Sequence, residues 1–485
     1  MTLSLDKSNG DYLYRQVIDL VAQNIETGAL RPGDRLPSLR RMSTRIGVSI
    51  PTVRQAYIEL ERQRRVESRP QSGYYVRSLA GNELVLSAPK FRRDAKPVAV
   101  GCRSLMDRVF DGIHQPDVLP FGITNPCMAK SAAKALHRTM KRVMARAEER
   151  SLGYAPGFGE PSLRRQIAYR YFDTVGSPVE PDDICITNGG QEALLIALSA
   201  VASKGDVIAV ESPTYHGLLE LIECLGMLAI EVETCPEEGV QLDALEQTLD
   251  AHPVKACMFS TTLSNPLGVS MDDDKRRALV RLLEERDVAL VEDDVYGELL
   301  FDGRRPKPAA FHAQSGRVLT CGSFSKTVAP GYRIGWIVTG GYRDRISALK
   351  RSYSCTSGLL QQLTLAEFLA GGDYERYLKT LRPVLQCNAE RMSAAVACYF
   401  PPETRTSKPV GGSVLWLELP RNVDGVALFE RAIADGISIS PGGIFSPGNR
   451  YRHFIRLSFG HPWTVDVEEG LQRLGRTVSA MAGGH

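Results

Sequence analysis

One lysine stands out in the stretch GSFSKTVAPGYRIGW, residues 322–336, where it follows two serines and precedes an arginine. The amine of Lys326 can form a Schiff base with a carbonyl compound, and Ser323, Ser325 and Arg333 offer donors of the kind that hold phosphate. The spacing therefore predicts a reactive amine beside a phosphate-binding site.

Two upstream segments offer complementary groups after predicted strands. In TNGGQEA, residues 187–193, Gly190 and Gln191 open a helix whose N-terminal N–H groups can face an anion, although a tight turn is the alternative reading. In ESPTYHG, residues 211–217, Tyr215 can stack on a planar ring, and core packing is the alternative.

Two further strand ends carry polar side chains. Asn265 lies in TLSNPLG, which taken alone is also a plain turn. Asp293 and Tyr296 end the strand pattern VALVEDDVYGEL, where a carboxylate can hold a pyridinium proton and a phenol can bond a ring oxygen. A buried structural acid is the competing interpretation of Asp293. Together with Lys326, these groups make up what pyridoxal 5'-phosphate (PLP) requires, which is an anion cradle, a ring stacker, a pyridinium partner, a phenoxide partner and an amine.

The elements that position these residues follow a regular order. Beyond about residue 100, short apolar strand patterns alternate with longer helical ones, as in DDICIT followed by QEALLIALSAV and DVIAVES followed by HGLLELIECLG. This alternation predicts an α/β domain with a mostly parallel sheet. Because ligands collect beyond the carboxyl ends of such strands, we expect the polar groups to meet there.

Composition sets the wider limits. The 485 residues, with 43% hydrophobic and 24% charged residues, predict two or three globular domains. Residues 1–97 contain 17 Lys and Arg against 10 Asp and Glu, a balance of +7, and the remainder, with 42 against 46, carries −4. A basic N-terminal segment followed by a slightly acidic remainder favours a polyanionic partner for the N-terminal part.

Other classes are disfavoured by the sequence. The ten cysteines form no CxxC pair, so neither a disulfide framework nor a metal site is expected. Apolar runs such as ALLIALSAVA are too short for a membrane span, and the N-terminus does not resemble a signal peptide. We therefore expect a cytoplasmic protein without a membrane partner.

The basic N-terminal segment has its own pattern of elements. A helical face between Tyr12 and Gly28 is followed by SLRRMSTRIGVSIPTVRQAYIELERQRRV, in which Gly47 marks a turn between two helices, and then by a hairpin around Gly73. Helix, turn, helix and wing favour DNA binding over a merely solvated charged face. The segment resembles the winged-helix domain of GntR-type regulators. The resemblance implies contacts to double-stranded DNA from Arg40, Thr52, Arg54 and Gly73, and the same helical face offers Gln55 as a further donor to base edges.

The larger part, from about residue 105 to the C-terminus, resembles a fold type I aminotransferase with a smaller C-terminal α+β subdomain. The resemblance implies that Lys326 forms the Schiff base with PLP, that Asp293 pairs with the pyridine nitrogen and that Asn265 and Tyr296 bond the ring oxygen. It also implies that Tyr215 stacks on the ring. The phosphate would be held by Gly190, Gln191, Ser323, Ser325 and Arg333, with Tyr154 reaching it from the neighbouring subunit of a homodimer.

Two residues concern a small-molecule ligand. Arg456, in HFIRLSFG, matches the family arginine that grips a substrate α-carboxylate, with a buried structural ion pair as the alternative. Gly122, in FGITNPC, lies where relatives line the opposite wall. The resemblance therefore implies an amino acid or amine as the ligand.

Both halves together resemble the MocR subfamily of bacterial transcriptional regulators. We predict a winged helix-turn-helix domain over residues 1–77, a linker over 78–104 and a PLP-binding domain over 105–485. The expected function is a DNA-binding regulator that senses an amino acid, amine or pyridoxal compound. Two alternatives are open, namely a working aminotransferase with an accessory DNA-binding domain, and a protein of this fold that dimerises and binds DNA without the cofactor.

Overall fold

The computed structural model of the chain describes residues 13–26, 30, 34–62, 65–69, 73–76, 86, 95–101, 103–113, 118–124, 128–176, 179–448 and 450–483. Its contacts divide the chain into two compact units, Met1–Glu83 and Leu84–His485. Most of the predicted linker, residues 78–104, lies outside the described residues. Each unit has its own hydrophobic core and is described by itself.

The N-terminal unit is a winged helix-turn-helix, as the sequence predicts. Its elements are helices α1 (Leu13–Glu26), α2 (Leu39–Ile46) and α3 (Ile50–Arg62) and the antiparallel strands β1 (Val66–Arg69) and β2 (Gly73–Val76).

Local chemistry sets the turn between α2 and α3. The Ser38 hydroxyl accepts a hydrogen bond from the N–H of Arg41 and caps α2. Gly47 ends the same helix at φ 69°, a left-handed conformation that favours glycine. The fully buried Val53 and Tyr57 anchor α3 in the core, and each such side chain stabilises the fold by roughly 1.5–3 kcal/mol.

The large unit begins with helices α4–α9 and strands β3–β9. The helices are α4 (Arg103–Ile113), α5 (Lys130–Ala147), α6 (Pro161–Val175), α7 (Gly190–Val201), α8 (His216–Cys224) and α9 (Leu242–Ala251). The strands are β3 (Val98–Ala99), β4 (Leu119–Pro120), β5 (Ile184–Thr187), β6 (Val207–Ser212), β7 (Leu228–Cys235), β8 (Gly239–Val240) and β9 (Val254–Phe259).

The remaining elements complete the large unit. The helices are α10 (Asp273–Glu285), α11 (Arg343–Tyr353), α12 (Leu359–Ala370), α13 (Asp373–Tyr399), α14 (Gly425–Ala434) and α15 (Val465–Gly483). The strands are β10 (Ala289–Asp293), β11 (Val318–Ser323), β12 (Gly335–Val338), β13 (Arg405–Thr406), β14 (Val414–Glu418), β15 (Ile437–Ser438), β16 (Ser440–Pro441) and β17 (Phe454–Ser458).

The main sheet has the strand order β3-β7-β6-β9-β10-β11-β12-β5, with β8 paired to β7. Strands β7, β6, β9, β10 and β11 are parallel to their neighbours in that run. Strand β12 is antiparallel to both β11 and β5, which returns β5 to the common direction. The mostly parallel sheet is therefore confirmed, and the loops after β5, β6, β9, β10 and β11 share one edge.

A second, antiparallel sheet with the order β13-β14-β17-β16 forms the smaller C-terminal part of the large unit. Helices α13 and α15 pack against each other there, and the α+β subdomain expected from the sequence is confirmed. Among the helices that the structure describes, none combines the length and apolarity that a membrane crossing requires.

Candidate cofactor and effector site

Lys326 lies in the loop after β11 and points toward the segment that follows β4. Its Nζ donates to the carbonyl oxygen of Thr124 at 2.9 Å and to the Oγ1 of the same residue at 2.8 Å. Burial, with the nearby charge of Arg456, lowers the pKa of Lys326 to about 8 despite the opposing effect of Asp293. The amine is thus partly unprotonated near neutral pH, which nucleophilic attack requires.

Asp293 differs from the two carboxylates beside it. Glu292 accepts hydrogen bonds from Thr261, Thr320 and the N–H of Ala309, and Asp294 forms an ion pair with Arg305. Asp293 accepts one bond, from the N–H of Val295 at 3.2 Å. Burial raises the pKa of Asp293 to about 6. Asp293 therefore keeps the acceptor capacity that a charged nitrogen of a ligand would use.

The loop after β5 and the loop between β11 and β12 meet in a cradle of donors. The Ser323 and Ser325 hydroxyl oxygens are 2.9 Å apart, and Arg333 Nη1 lies 3.5 Å from the Oγ of Ser325. Gly190 begins α7, and a Cβ added there would lie 3.3 Å from that of Ser323. Four of the predicted phosphate ligands are thus brought together beside a helix N-terminus, where anions are favoured.

Glycine is required at Gly189, one residue before the predicted Gly190. Gly189 has φ 83°, and a Cβ built on it would lie 2.4 Å from the Nη2 of Arg333. Arg333 itself adopts φ 52°, in the left-handed region that non-glycine residues rarely occupy. The guanidinium is therefore held against the turn by close packing.

Gln191 and Tyr215 meet at the loop after β6. The Gln191 amide donates to the carbonyl oxygen of Gly217 at 2.9 Å, so its side chain ties α7 to this loop. The Tyr215 ring covers Gly217, where an added Cβ would lie 2.5 Å from it. The ring of His216 lies 4.6 Å from that of Tyr215, centroid to centroid.

Arg456, on β17, is 2% exposed. Its Nη2 donates to the carbonyl oxygen of Gly122 at 2.6 Å and to the Ser440 hydroxyl at 2.9 Å, and its Nη1 donates to the Asn265 side chain at 3.3 Å. The guanidinium also lies 5.3 Å from the ring centroid of Phe445. Within the described part of the chain no carboxylate pairs with it, and its Nε has no hydrogen-bond partner. Arg456 is thus a buried cation held by neutral groups.

Tyr296 brings an unsatisfied hydroxyl to the same region. Its Oη is buried and, among the described residues, has no hydrogen-bond partner of good geometry, although Thr124 and Ser413 lie beside it. Burial raises the pKa of this phenol. An unpaired buried hydroxyl costs stability, which a ligand that bonds to it would recover.

A cavity of about 170 Å³ joins several of these groups. Apolar side chains from α4 and Ile444 form part of its wall, and Lys326, Tyr215, Gly122 and Arg456 line it. Three polar residues that line the cavity are not predicted from the sequence, namely Thr124, His216 and Ser440. No local pattern singles them out, because their positions depend on contacts with distant parts of the chain.

His216 is the least expected of these residues. Its Nδ1 is buried without a hydrogen-bond partner in the described structure. Burial, with the positive charges of Arg456 and Lys326, lowers the pKa of His216 to about 3, so the ring is neutral at physiological pH. Its sequence neighbour Tyr215 was singled out, but nothing in the sequence separates His216 from an ordinary helix N-terminal residue.

Tyr154 lies apart from the groups just described. It is 88% exposed, and its neighbour Leu152 is 86% exposed. Tyr169 and Phe172 on α6 are each 60% exposed. The predicted contact of Tyr154 with a neighbouring subunit remains a prediction.

In the N-terminal unit, the predicted DNA-contacting residues are distributed over α2, α3 and the wing. The side chains of Arg40, Arg54 and Gln55 are exposed, and Thr52 is half-buried with its hydroxyl 2.7 Å from that of Ser49. Gly73 is exposed at φ 108° in the wing. The exposed donors can reach a polyanion without any rearrangement of the core.

Comparison with known proteins extends these observations. Residues 116–474 match the family "Aminotransferase class I and II", and residues 13–76 match "Bacterial regulatory proteins, gntR family". Aminotransferases of class I and II share a fold that binds PLP. GntR helix-turn-helix domains are DNA-binding modules.

Individual relatives cover the whole chain or the large unit. The chain is 36% identical to the uncharacterized HTH-type transcriptional regulator YjiR of Escherichia coli over 96% of this chain and 98% of the relative, and 36% identical to YdcR of the same organism over the same shares. The large unit is similar to the crystal structure of LysN, an α-aminoadipate aminotransferase from Thermus thermophilus complexed with N-(5'-phosphopyridoxyl)-L-leucine. The match covers 79% of this chain and 99% of LysN, with a TM-score of 0.70 and 26% identity. The chain therefore belongs to the GntR-type transcriptional regulators in which the DNA-binding domain is fused to an aminotransferase class I and II domain, the MocR-type architecture.

Proposed function

We propose that the protein binds PLP and operator DNA and regulates transcription in response to an amino acid or amine. One observation carries the proposal. Arg456, a buried guanidinium without a carboxylate partner in the described structure, lines the same cavity as the buried amine of Lys326. One wall thus offers a group for an anion and a group that reacts with carbonyl compounds.

Arg456 argues for a ligand with a carboxylate. A buried charge that only neutral groups solvate is costly, because hydrogen bonds from dipoles replace water incompletely. An α-carboxylate can accept two parallel hydrogen bonds from a guanidinium. Displacing the weaker contact to Asn265, at 3.3 Å, would let Nη1 take part, and the unpaired Nε offers a second donor.

The donor set fits PLP. The unsatisfied Tyr296 hydroxyl and the free acceptor capacity of Asp293 suit a ring oxygen and a ring nitrogen. Ser323, Ser325, Arg333 and the N-terminus of α7 suit the phosphate. When bound, PLP supplies an aldehyde that condenses with amines and a ring that withdraws electrons.

The chain's own groups have separate tasks in this proposal. Thr124 holds the Lys326 amine in place, and burial keeps part of that amine unprotonated. Tyr215 covers one side of the site, with its ring set against Gly217. Arg456 orients the carboxylate of the incoming ligand, and His216 stays neutral beside it.

Sensing follows from differential affinity. A ligand changes the regulator's behaviour on DNA only if it binds one arrangement of the protein more tightly than another. Exposed Arg40, Arg54 and Gln55 would contact phosphates and bases of the operator. In this proposal the protein acts in the cytoplasm as a homodimer, to which Tyr154 would contribute.

The test combines spectroscopy with DNA binding. Purified protein with PLP is titrated with a panel of amino acids and amines while its visible absorbance is recorded, and its binding to promoter DNA is measured with and without each compound. We expect one class of compound to change both the spectrum and the DNA affinity, and the Lys326→Ala variant to lose both responses. Absence of promoter binding, or an unchanged ligand response in the variant, would contradict the proposal.

A working aminotransferase is the second candidate. Lys326 and Arg456 line one cavity, and burial lowers the pKa of Lys326 to about 8. An amine with such a pKa can accept a proton from a carbon acid near neutral pH, and Arg456 would orient the substrate for that transfer. The amino-acid titration decides, because turnover releases a 2-oxo acid into solution. Steady oxo-acid production at a rate typical of metabolic enzymes would favour catalysis over sensing.

A further inference from the structure

A buried ion pair lies behind the phosphate cradle. Lys350, on α11, is 0% exposed, and its Nζ lies 2.8 Å from the Oε2 of Glu192 in the first turn of α7. The same Nζ donates to the hydroxyls of Ser354 at 2.8 Å and Ser357 at 3.0 Å. Since an ammonium has three N–H donors, Lys350 is fully satisfied.

Glu192 holds the turn that precedes α7. The backbone N–H of Asn188 donates to Oε2 at 2.6 Å, and the Asn188 side-chain amide donates to Oε1 at 3.2 Å. Two bonds from one residue fix both the backbone and the side chain of Asn188. The Glu192 carboxylate therefore sets the position of this turn.

Asn188 in turn contacts the cradle itself. Its carbonyl oxygen accepts a hydrogen bond from the Nη2 of Arg333 at 3.3 Å. The other terminal nitrogen of Arg333 lies 3.5 Å from the Ser325 hydroxyl. A continuous series of polar contacts thus runs from Lys350 through Glu192, Asn188 and Arg333 to Ser325.

Charge explains why the ion pair matters for an anion. Burial raises the pKa of Glu192, but hydrogen bonds from Lys350, Ser354 and Asn188 outweigh burial and lower it, so the group is ionised. An ionised carboxylate near a phosphate site repels the phosphate unless a cation balances it. Lys350 supplies that balance and leaves Glu192 free to hold Asn188.

We infer that the Glu192–Lys350 pair is a positioning pair for the phosphate group of the cofactor, acting through Asn188 on Arg333. The inference rests on the proposed binding of PLP. The role is limited to the phosphate end of the site, because none of the contacts described for Glu192 and Lys350 reaches Lys326 or Arg456. Neither residue belongs to the set that the sequence predicted.

The test separates the phosphate from the ring. Dissociation constants for PLP and for pyridoxal, which lacks the phosphate, are measured by visible absorbance for the wild type and for Lys350→Gln. We expect the dissociation constant for PLP to rise about tenfold or more, by analogy with the loss of a residue that orients a metal ligand, while that for pyridoxal stays unchanged. Inorganic phosphate should compete with PLP less well in the variant.

Matched variants guard against a general loss of structure. Arg170→Gln removes a partly buried cation elsewhere in the large unit, which pairs with Glu298 at 3.0 Å and also with Glu375, and should leave the ratio of the two constants as in the wild type. Lys350→Gln combined with Glu192→Gln leaves no unpaired charge, so its preference for PLP over pyridoxal should lie between those of Lys350→Gln and the wild type. This double variant decides the matter if Lys350→Gln does not fold.

Two results would overturn the inference. Equal weakening of PLP and pyridoxal in Lys350→Gln would make the pair a general structural element, and unchanged constants in both variants would leave it no role at the phosphate. Failure of the wild type to bind PLP at all would instead refute the proposed function. The two failures are therefore distinguishable.

Discussion

The two ends of the candidate site differ in how completely their polar groups are paired. At the phosphate end, Ser323, Ser325, Arg333 and Asn188 bond to one another within the protein. At the other end, Arg456 Nε, Tyr296 Oη and His216 Nδ1 are buried without partners in the described structure. In the proposed function, the first end would hold the constant part of a ligand, because its donors are already in place. The second keeps unsatisfied groups, which cost stability until a ligand meets them.

The largest effect should come from Arg456→Met. Loss of a buried partner for a carboxylate costs about 2–5 kcal/mol of binding energy, so amino-acid affinity of the PLP-bound protein should fall steeply. The free energy of unfolding of the cofactor-free variant should not fall in parallel, because a buried charge without a counterion is removed. Calorimetric titration and urea unfolding measure the two quantities. If Arg456→Met binds amino acids as tightly as the wild type, Arg456 is not a carboxylate ligand, and the proposed contrast between the two ends of the site fails.

Lys326 should make stability depend on pH. Its pKa is about 8 in the folded protein against an ordinary 10.5, so between these values the unfolded chain binds more protons. The free energy of unfolding of the cofactor-free protein should therefore rise from pH 8 to 10.5, by up to about 3 kcal/mol. Lys326→Met should be more stable than the wild type at pH 7, and the advantage should shrink across this window. If the difference in the free energy of unfolding between Lys326→Met and the wild type does not change with pH, the lowered pKa of Lys326 is contradicted.

Gly189→Ala tests the organised end. The added methyl would strike the Arg333 guanidinium, and φ 83° is unfavourable for alanine, so a cost of about 1–3 kcal/mol is expected. PLP affinity should fall more than pyridoxal affinity. Gly205→Ala is the control, since Gly205 has φ 89° but open space around it. Comparable loss of PLP preference in both variants would show that backbone strain, not the cradle, is responsible.

The smallest effect concerns Tyr296→Phe. Removal of an unsatisfied buried hydroxyl should raise the free energy of unfolding of the cofactor-free protein by about 1 kcal/mol, whereas Ser323→Ala, which removes a bonded hydroxyl, should lower it by a similar amount. Chemical denaturation of both variants gives the comparison. If the free energy of unfolding rises in Tyr296→Phe and falls in Ser323→Ala, the contrast between the two ends is supported. If both variants change it in the same direction, the contrast fails.

Much of this architecture could be predicted from the sequence, because the strands β5, β6, β9, β10 and β11 are buried, mostly apolar runs with glycine or polar residues at their ends. The antiparallel strand β12 was not predicted. Its first two residues, Gly335 and Trp336, end the stretch that contains Lys326, and its direction depends on pairing with β5, almost 150 residues away in the chain.

The residues of the candidate site also divide into those that the sequence predicts and those that it does not. Lys326, Asp293 and Arg456 could be singled out because their chemistry and place after or within strands are unusual. Thr124, Ser440 and the Glu192–Lys350 pair could not, because their residue types are common and their roles arise only from long-range contacts. Asn265 was predicted for a ring oxygen, yet its side chain bonds Arg456 in this structure, so its cofactor role remains a prediction.

The short segment after β4 touches both cations of the site. Thr124 accepts both hydrogen bonds of the Lys326 amine, and the Gly122 carbonyl accepts one from Arg456. A compound that engages only the amine releases only the first contact, and one that engages only the guanidinium releases only the second. If the proposed function holds, only a molecule that presents an amino group and a carboxylate together would release both contacts of this segment at once.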